Sequence, residues 1–146
     1  MSTKTVSDRE DPVIETRDQL IAAIAKGEKP KDRWRIGTEH EKFVYNRTDH
    51  HAPSYDEPGG IRDLLMAMTE FGWEPVYENG KVIAMSGTDG AVSLEPAGQL
   101  ELSGAPLENL HQTCAETGRH LKQVKAIGDK TNTSFLGLGL WPDKTR

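Results

Sequence analysis

The 146-residue chain has a single cysteine, so it has no internal disulfide framework and no cysteine-based zinc site. A lone thiol suits a reducing compartment, and the simplest expectation is the cytosol. No apolar run approaches the roughly 20 residues that a spanning helix needs, and the polar start lacks the apolar stretch of a secretory signal. Basic residues are not in excess: 18 Lys+Arg stand against 23 Asp+Glu, a net charge of −5. That balance argues against non-specific binding to nucleic acid or to an anionic membrane surface, both of which need a basic face. Three nucleotide and nucleophile signatures are also missing. There is no G-x-x-x-x-G-K-[ST] loop, no G-x-G-x-x-G between a strand and a helix, and no serine in a nucleophile elbow. Gly137-Leu138-Gly139 reads as close backbone packing.

What remains is a polar chain, mean hydropathy −0.64, with clear apolar segments. Its length suits one domain or part of a larger one. Residues 1–12 read as a solvated, disordered tail. Thr16 and Gln19 have capping-box spacing, opening a helix with Leu20, Ile21 and Ile24 as its stripe and Gly27 at its end. Trp34 to Tyr45 reads as a strand and Arg47 to Gly60 as a long loop. A second helix runs from Ile61 to about Phe71, followed by a hairpin over Val76 to Met85 with a type I′ turn at Asn79-Gly80. Ala91 to Glu95 and Gln99 to Ser103 read as strands broken at Pro96-Ala97-Gly98 by a bulge or tight bend. Pro106 and Glu108 suit the first turn of a third helix with Leu107, Leu110, Cys114, Leu121 and Val124 as its stripe, so Cys114 is expected to be buried. Ser134 to Leu140 reads as a buried strand. Trp34, Trp73 and Trp141 read as packing anchors, and His50 and His51 as a solvated pair in a polar loop. Neighbouring strands can pair as hairpins, so the expected class is α+β with an antiparallel sheet and flanking helices.

Two stretches carry the chemistry. In Thr38-Glu39-His40-Glu41-Lys42-Phe43, side-chain alternation turns Glu39 and Glu41 to one face, their Cα atoms roughly 6.5 to 7 Å apart, and His40 to the other. Two like charges so placed repel unless a cation lies between them. In Gln99-Leu100-Glu101-Leu102-Ser103, the amide, carboxylate and hydroxyl share one face, and Leu100 and Leu102 enter a core. Glu95 joins that face if the Pro-Gly break allows. Such a hard-oxygen face suits Mg²⁺ or Mn²⁺ and serves phosphoryl transfer. A solvated edge strand would also carry Glu-x-Glu, but glutamate flanked by leucines within Gln99 to Ser103 fits that bland reading poorly.

The words Ile36-Gly37-Thr38-Glu39-His40-Glu41-Lys42-Phe43, Leu94-Glu95-Pro96, Gly98-Gln99, Glu101-Leu102-Ser103-Gly104-Ala105-Pro106-Leu107-Glu108 and Leu110-His111-Gln112-Thr113-Cys114 resemble the glutamate–cysteine ligases of the proteobacterial and plant type. The similarity runs from about Arg35 to Leu140. It implies a glutamine-synthetase-like catalytic sheet, incomplete here, with residues 13–146 as the N-terminal part of the catalytic domain and the remainder expected past Arg146. It implies ATP-dependent joining of the γ-carboxylate of L-glutamate to the amine of L-cysteine through γ-glutamyl phosphate, the first step of glutathione synthesis. Glu39, Glu41 and Glu101 would be metal ligands, and Glu95 and Gln99 metal or substrate contacts. Ala97 stands where many relatives have glycine, and Leu100 where many have Phe or Val. Two other readings stay open. One is a γ-glutamyl ligase using another amine. The other is a truncated, non-catalytic module that binds metal or a partner.

Overall fold

A computed structural model describes residues 13–88 and 90–142, which fall in two compact units divided after Trp34. The expected tail, residues 1–12, lies outside the described residues.

Within the first unit the expected helix is present as α1, Arg17–Ala25. The extended Thr16 accepts from the Gln19 N–H at 3.2 Å, and the Gln19 side chain accepts from the Thr16 N–H at 3.0 Å. Two of the four orphan donors at the helix start are thereby used. Leu20, Ile21 and Ile24 are exposed instead of buried. Trp34, expected as an anchor, is also exposed, and its indole N–H donates to the Lys29 carbonyl at 2.8 Å.

The second unit holds β1 (Glu39–Asn46), α2 (Ile61–Ala67), β2 (Glu74–Glu78), β3 (Lys81–Gly87), β4 (Gly90–Glu95), β5 (Gln99–Ser103), α3 (Leu110–Thr131) and β6 (Thr133–Leu136). The six strands form one sheet in the order β2-β3-β4-β5-β1-β6, and every pair is antiparallel. The unit is therefore α+β, as expected. Asn79 and Gly80 both have positive φ, 49° and 78°, as a type I′ turn between β2 and β3 demands. β4 and β5 stay in register up to Glu95 opposite Gln99, so the Pro96-Ala97-Gly98 break is a tight three-residue turn, with Ala97 at φ 64° and Gly98 at φ 76°.

Alternation sends Leu100, Leu102 and Val92 to one face, where they meet Leu64, Leu65 and Met68 near the end of α2, Met85 of β3, and Val124 and Ile127 of α3. Burying each of these large side chains is worth about 1.5 to 3 kcal/mol. Trp73 packs against this core, as expected of an anchor.

Four expectations are corrected. β1 starts at Glu39, not Trp34; before it, Ile36 makes only an isolated bridge to Leu107. That bridge holds Pro106 and Leu107 outside α3, which begins after its N-cap Asn109, whose side chain accepts from the Gln112 N–H at 3.1 Å. The buried stripe of α3 is Glu116, His120, Val124 and Ile127, so Leu110, Cys114 and Leu121 are exposed. Two polar residues on the packed face had shifted the apparent phase of the helix. Finally, β6 stops at Leu136. The chain then leaves the sheet, and Leu138 and Leu140 are exposed.

Candidate carboxylate site

The β1–β5 register decides where the predicted residues fall. Glu41 lies directly opposite Glu101, and Glu39 opposite Ser103. On the far side of β5, Ser93 lies opposite Glu101 and Glu95 opposite Gln99. Directly opposed side chains have Cβ atoms roughly 4.5 to 5.5 Å apart, so Glu39, Glu41, Ser93, Glu95, Gln99, Glu101 and Ser103 make one contiguous polar face. The five residues singled out from the sequence are all on it.

Glu101 is buried, 3% exposed, whereas Glu39 and Glu41 are exposed. Burial pushes the Glu101 carboxyl above its ordinary value, against a hydrogen bond from the Ser103 hydroxyl at 2.8 Å; the hydrogen-bonded Glu95 carboxyl raises it further. Two carboxyl groups that share a hydrogen bond share a proton, and a cation can take that proton's place. The Gln99 amide N–H donates to the Leu138 carbonyl at 3.1 Å, leaving the amide oxygen as an acceptor. Beyond it, Trp141 sits edge-on against Phe43, ring centroids 5.3 Å apart, so the segment after β6 borders this end of the face.

The donor set is all hard oxygen plus one amide, which fits Mg²⁺ or Mn²⁺. Among the described residues, no three His, Cys, Asp or Glu side chains already converge on a metal position. A side-by-side carboxylate pair without a closed cage is the arrangement expected of magnesium, which keeps several waters and takes few protein ligands.

The opposite face of β1 holds a cluster that the sequence reading passed over. Lys42 is 1% exposed. Its ammonium donates to the His40 carbonyl at 2.8 Å, the Leu100 carbonyl at 3.4 Å and His120 Nε2 at 2.8 Å. Burial lowers Lys42 to about 8, resisted by the charges of Glu101 and Glu41 across the sheet. Burial, with Lys42 and His40 adding, lowers His120 to about 3, and burial also lowers His40. All three groups therefore carry one buried positive charge behind the acidic face. The signal was available. Period-two alternation puts His40 and Lys42 on the leucine face, and Glu116 and His120 are four residues apart on α3.

In the loop, His50 lies edge-on to Tyr45, and His51 is bound between Asp49 (2.5 Å) and Glu57 (2.7 Å), both carboxylates raising its pKa. His51 is thus part of a local ion network, and both imidazoles are exposed, as expected of a pair in a polar loop.

A family model described as glutamate–cysteine ligase family 2 matches residues 35–146. The chain is 48% identical over 128 residues to the chloroplastic glutamate–cysteine ligase A of Oryza sativa subsp. japonica, covering 87% of this chain and 25% of that protein. It is 50% identical to the chloroplastic glutamate–cysteine ligase of Arabidopsis thaliana, covering 87% and 24%. Against that of Medicago truncatula it is 46% identical over 138 residues, covering 91% and 27%. The chain spans about a quarter of the length of these relatives. Their names correct the cytosolic expectation: these relatives are chloroplastic proteins. A lone thiol reports reducing conditions, and more than one compartment supplies them.

Proposed function

The chain belongs to glutamate–cysteine ligase family 2, and from that premise we propose that the protein joins the γ-carboxylate of L-glutamate to the amine of L-cysteine at the expense of ATP, the first step of glutathione synthesis. The antiparallel sheet is read as part of a glutamine-synthetase-like catalytic sheet, with residues 13–146 as the N-terminal part of the catalytic domain. The observation that carries the proposal is the Glu41–Glu101 register pair, with Glu39 and Ser103 next along the same face.

Glu39, Glu41 and Glu101 would hold Mg²⁺ or Mn²⁺, which when bound neutralises phosphate charge and lets an anionic carboxylate approach ATP. The residues of this chain prepare that position. Ser103 fixes one oxygen of Glu101, and the contact between the Glu101 and Glu95 carboxyls marks where a cation would take the place of the shared proton. The buried ammonium of Lys42 offsets the repulsion between Glu41 and Glu101 from behind the sheet. Gln99, anchored through its N–H, presents its amide oxygen to an ammonium donor such as that of an amino-acid substrate. Glu95, at the end of β4, borders the same position and serves metal or substrate. The reaction proceeds through γ-glutamyl phosphate, and attack by the amine releases phosphate.

The test is ADP release by the intact protein with L-glutamate and a panel of amines. The proposal predicts strong stimulation by L-cysteine. Stimulation by a different amine alone would leave a γ-glutamyl ligase of other specificity, and no turnover with any amine would leave a metal- or partner-binding module.

A further inference from the structure

Glu116 ties α3 to the chain where it leaves β5. The residue is 6% exposed, and its Oε1 accepts from the Ala105 N–H at 2.8 Å. Its other oxygen, Oε2, is buried with no hydrogen-bond partner. Oε2 lies against Gly104, where an added Cβ would stand 2.2 Å from it. Gly104 does not adopt positive φ, so its backbone conformation does not call for glycine. The carboxylate calls for it, because it takes the space that a side chain would fill. A buried oxygen without a partner is costly, so the bond made by Oε1 has to hold the approach.

That bond falls at the end of the carboxylate strands. Ser103, the last residue of β5, lies between Glu39 of β1 and Ala91 of β4. The Gly104 N–H then donates to the Thr38 carbonyl at 2.8 Å, and Leu107 and Ile36 exchange both backbone bonds, at 2.8 and 2.7 Å. Between these two backbone ties, Pro106 has no N–H and the Ala105 N–H has left the ladder, so a side chain serves it. Glu116 does so from a helix of 22 residues whose Val124 and Ile127 are in the core. The placement of Ser103 bears directly on the acidic face. Its hydroxyl donates to Glu101 at 2.8 Å, and its neighbour across the ladder is Glu39.

We propose that Glu116 is a positioning residue for the metal ligands. Through the Ala105 N–H it holds Ser103, and with it Glu101 and Glu39, at the spacing that a cation needs. Its two oxygens face Ala105 and Gly104, so it is not itself a ligand. It acts as a hydrogen-bond acceptor, not through its charge. The inference rests on the metal-site reading of the acidic face.

The test is Mn²⁺ binding to the intact protein, read by electron paramagnetic resonance. Amide hydrogen exchange at Ala105 in the metal-free protein reads the bond separately, and melting curves show that each variant is folded. Glu116→Leu removes the acceptor. It should speed exchange at Ala105 and weaken Mn²⁺ binding about tenfold, the lower end of the loss expected on removing an outer-shell partner. Glu116→Gln keeps an oxygen for the Ala105 N–H and should bind Mn²⁺ as the wild type does. Val124→Ala opens a cavity in the same buried stripe without touching Ala105, so it should melt lower and bind Mn²⁺ normally. Gly104→Ala, which forces Oε2 away, should weaken Mn²⁺ binding as Glu116→Leu does, and it decides if Glu116→Leu does not fold. Unchanged Mn²⁺ binding in folded Glu116→Leu would overturn the proposal. So would an equal loss in Glu116→Gln, or an equal loss in Val124→Ala. A wild type that binds no Mn²⁺ would remove the metal-site reading itself, and the proposal with it.

Discussion

Replacing Lys42 with methionine isolates the electrostatic cost of the buried charge behind the acidic face. The folded protein lowers this ammonium from its ordinary 10.5 to about 8. Between those values the unfolded chain holds a proton that the folded chain has released, so stability rises with pH. The charged form is disfavoured on folding below about pH 8, and that penalty is relieved as the amine deprotonates. From the two values, the gain between about pH 7 and about pH 10 is ~2.5 kcal/mol. Lys42→Met has no such group and should lack this rise. Urea unfolding followed by tryptophan fluorescence, in the presence of a chelator, gives the stability of both proteins across that range. Other groups titrate alike in the two, so the wild-type-minus-variant difference reports Lys42. A difference that grows by about 2 to 3 kcal/mol supports the buried cation. A flat difference, or one that falls with pH, would refute it.

Other consequences follow from the same geometry. His120, at about 3 in the folded state against 6.5 in the free side chain, binds its proton first when unfolded. Stability should therefore fall as pH drops from about 6.5 toward about 3, and His120→Leu should flatten that limb in urea midpoints. Lys42→Met and His120→Leu should couple. Each alone strands a partner, so the double variant should be more stable than the sum of the two losses implies, by about 1 to 3 kcal/mol in a denaturation cycle. In Gly104→Ala, the new Cβ would sit 2.2 Å from Glu116 Oε2 and 3.1 Å from the Thr38 carbonyl. It should cost about 1 to 3 kcal/mol by thermal unfolding and break the Ala105–Glu116 bond. Ala97→Gly should raise stability by about 1 kcal/mol, because Ala97 holds φ 64° in the β4–β5 turn. Unchanged or lowered melting would contradict that reading of the turn.

Local chemistry made several elements legible. Thr16 with Gln19 and Asn79 with Gly80 are signals whose partners lie within a few residues, and both form as read. The carboxylate face was legible for the same reason, since strand alternation alone places Glu39 with Glu41 and Gln99 with Glu101 and Ser103. Their mutual register was not, because it depends on how β1 pairs with β5 across about sixty residues of chain. Helix α3 was misphased because its packed face includes Glu116 and His120, which satisfy the Ala105 N–H and the Lys42 ammonium respectively. Hydrophobic periodicity is blind to polar groups buried for their hydrogen bonds. Cys114 and Leu121 were drawn into the core by that error. The glycine-rich run after Ser134 looked like strand. It departs at Leu136, where Gln99 and Phe43 offer the Leu138 carbonyl and the Trp141 ring better partners than a continued ladder.

The most direct test of the acidic face is Mn²⁺ binding to the intact protein, followed by electron paramagnetic resonance in the wild type, Glu41→Gln and Glu101→Gln, with melting curves to show that each is folded. The account predicts that bound Mn²⁺ is lost or weakened at least about tenfold in both variants, since each removes one of two opposed charged ligands. Wild-type Mn²⁺ binding in folded Glu41→Gln and Glu101→Gln would place the metal elsewhere and contradict it.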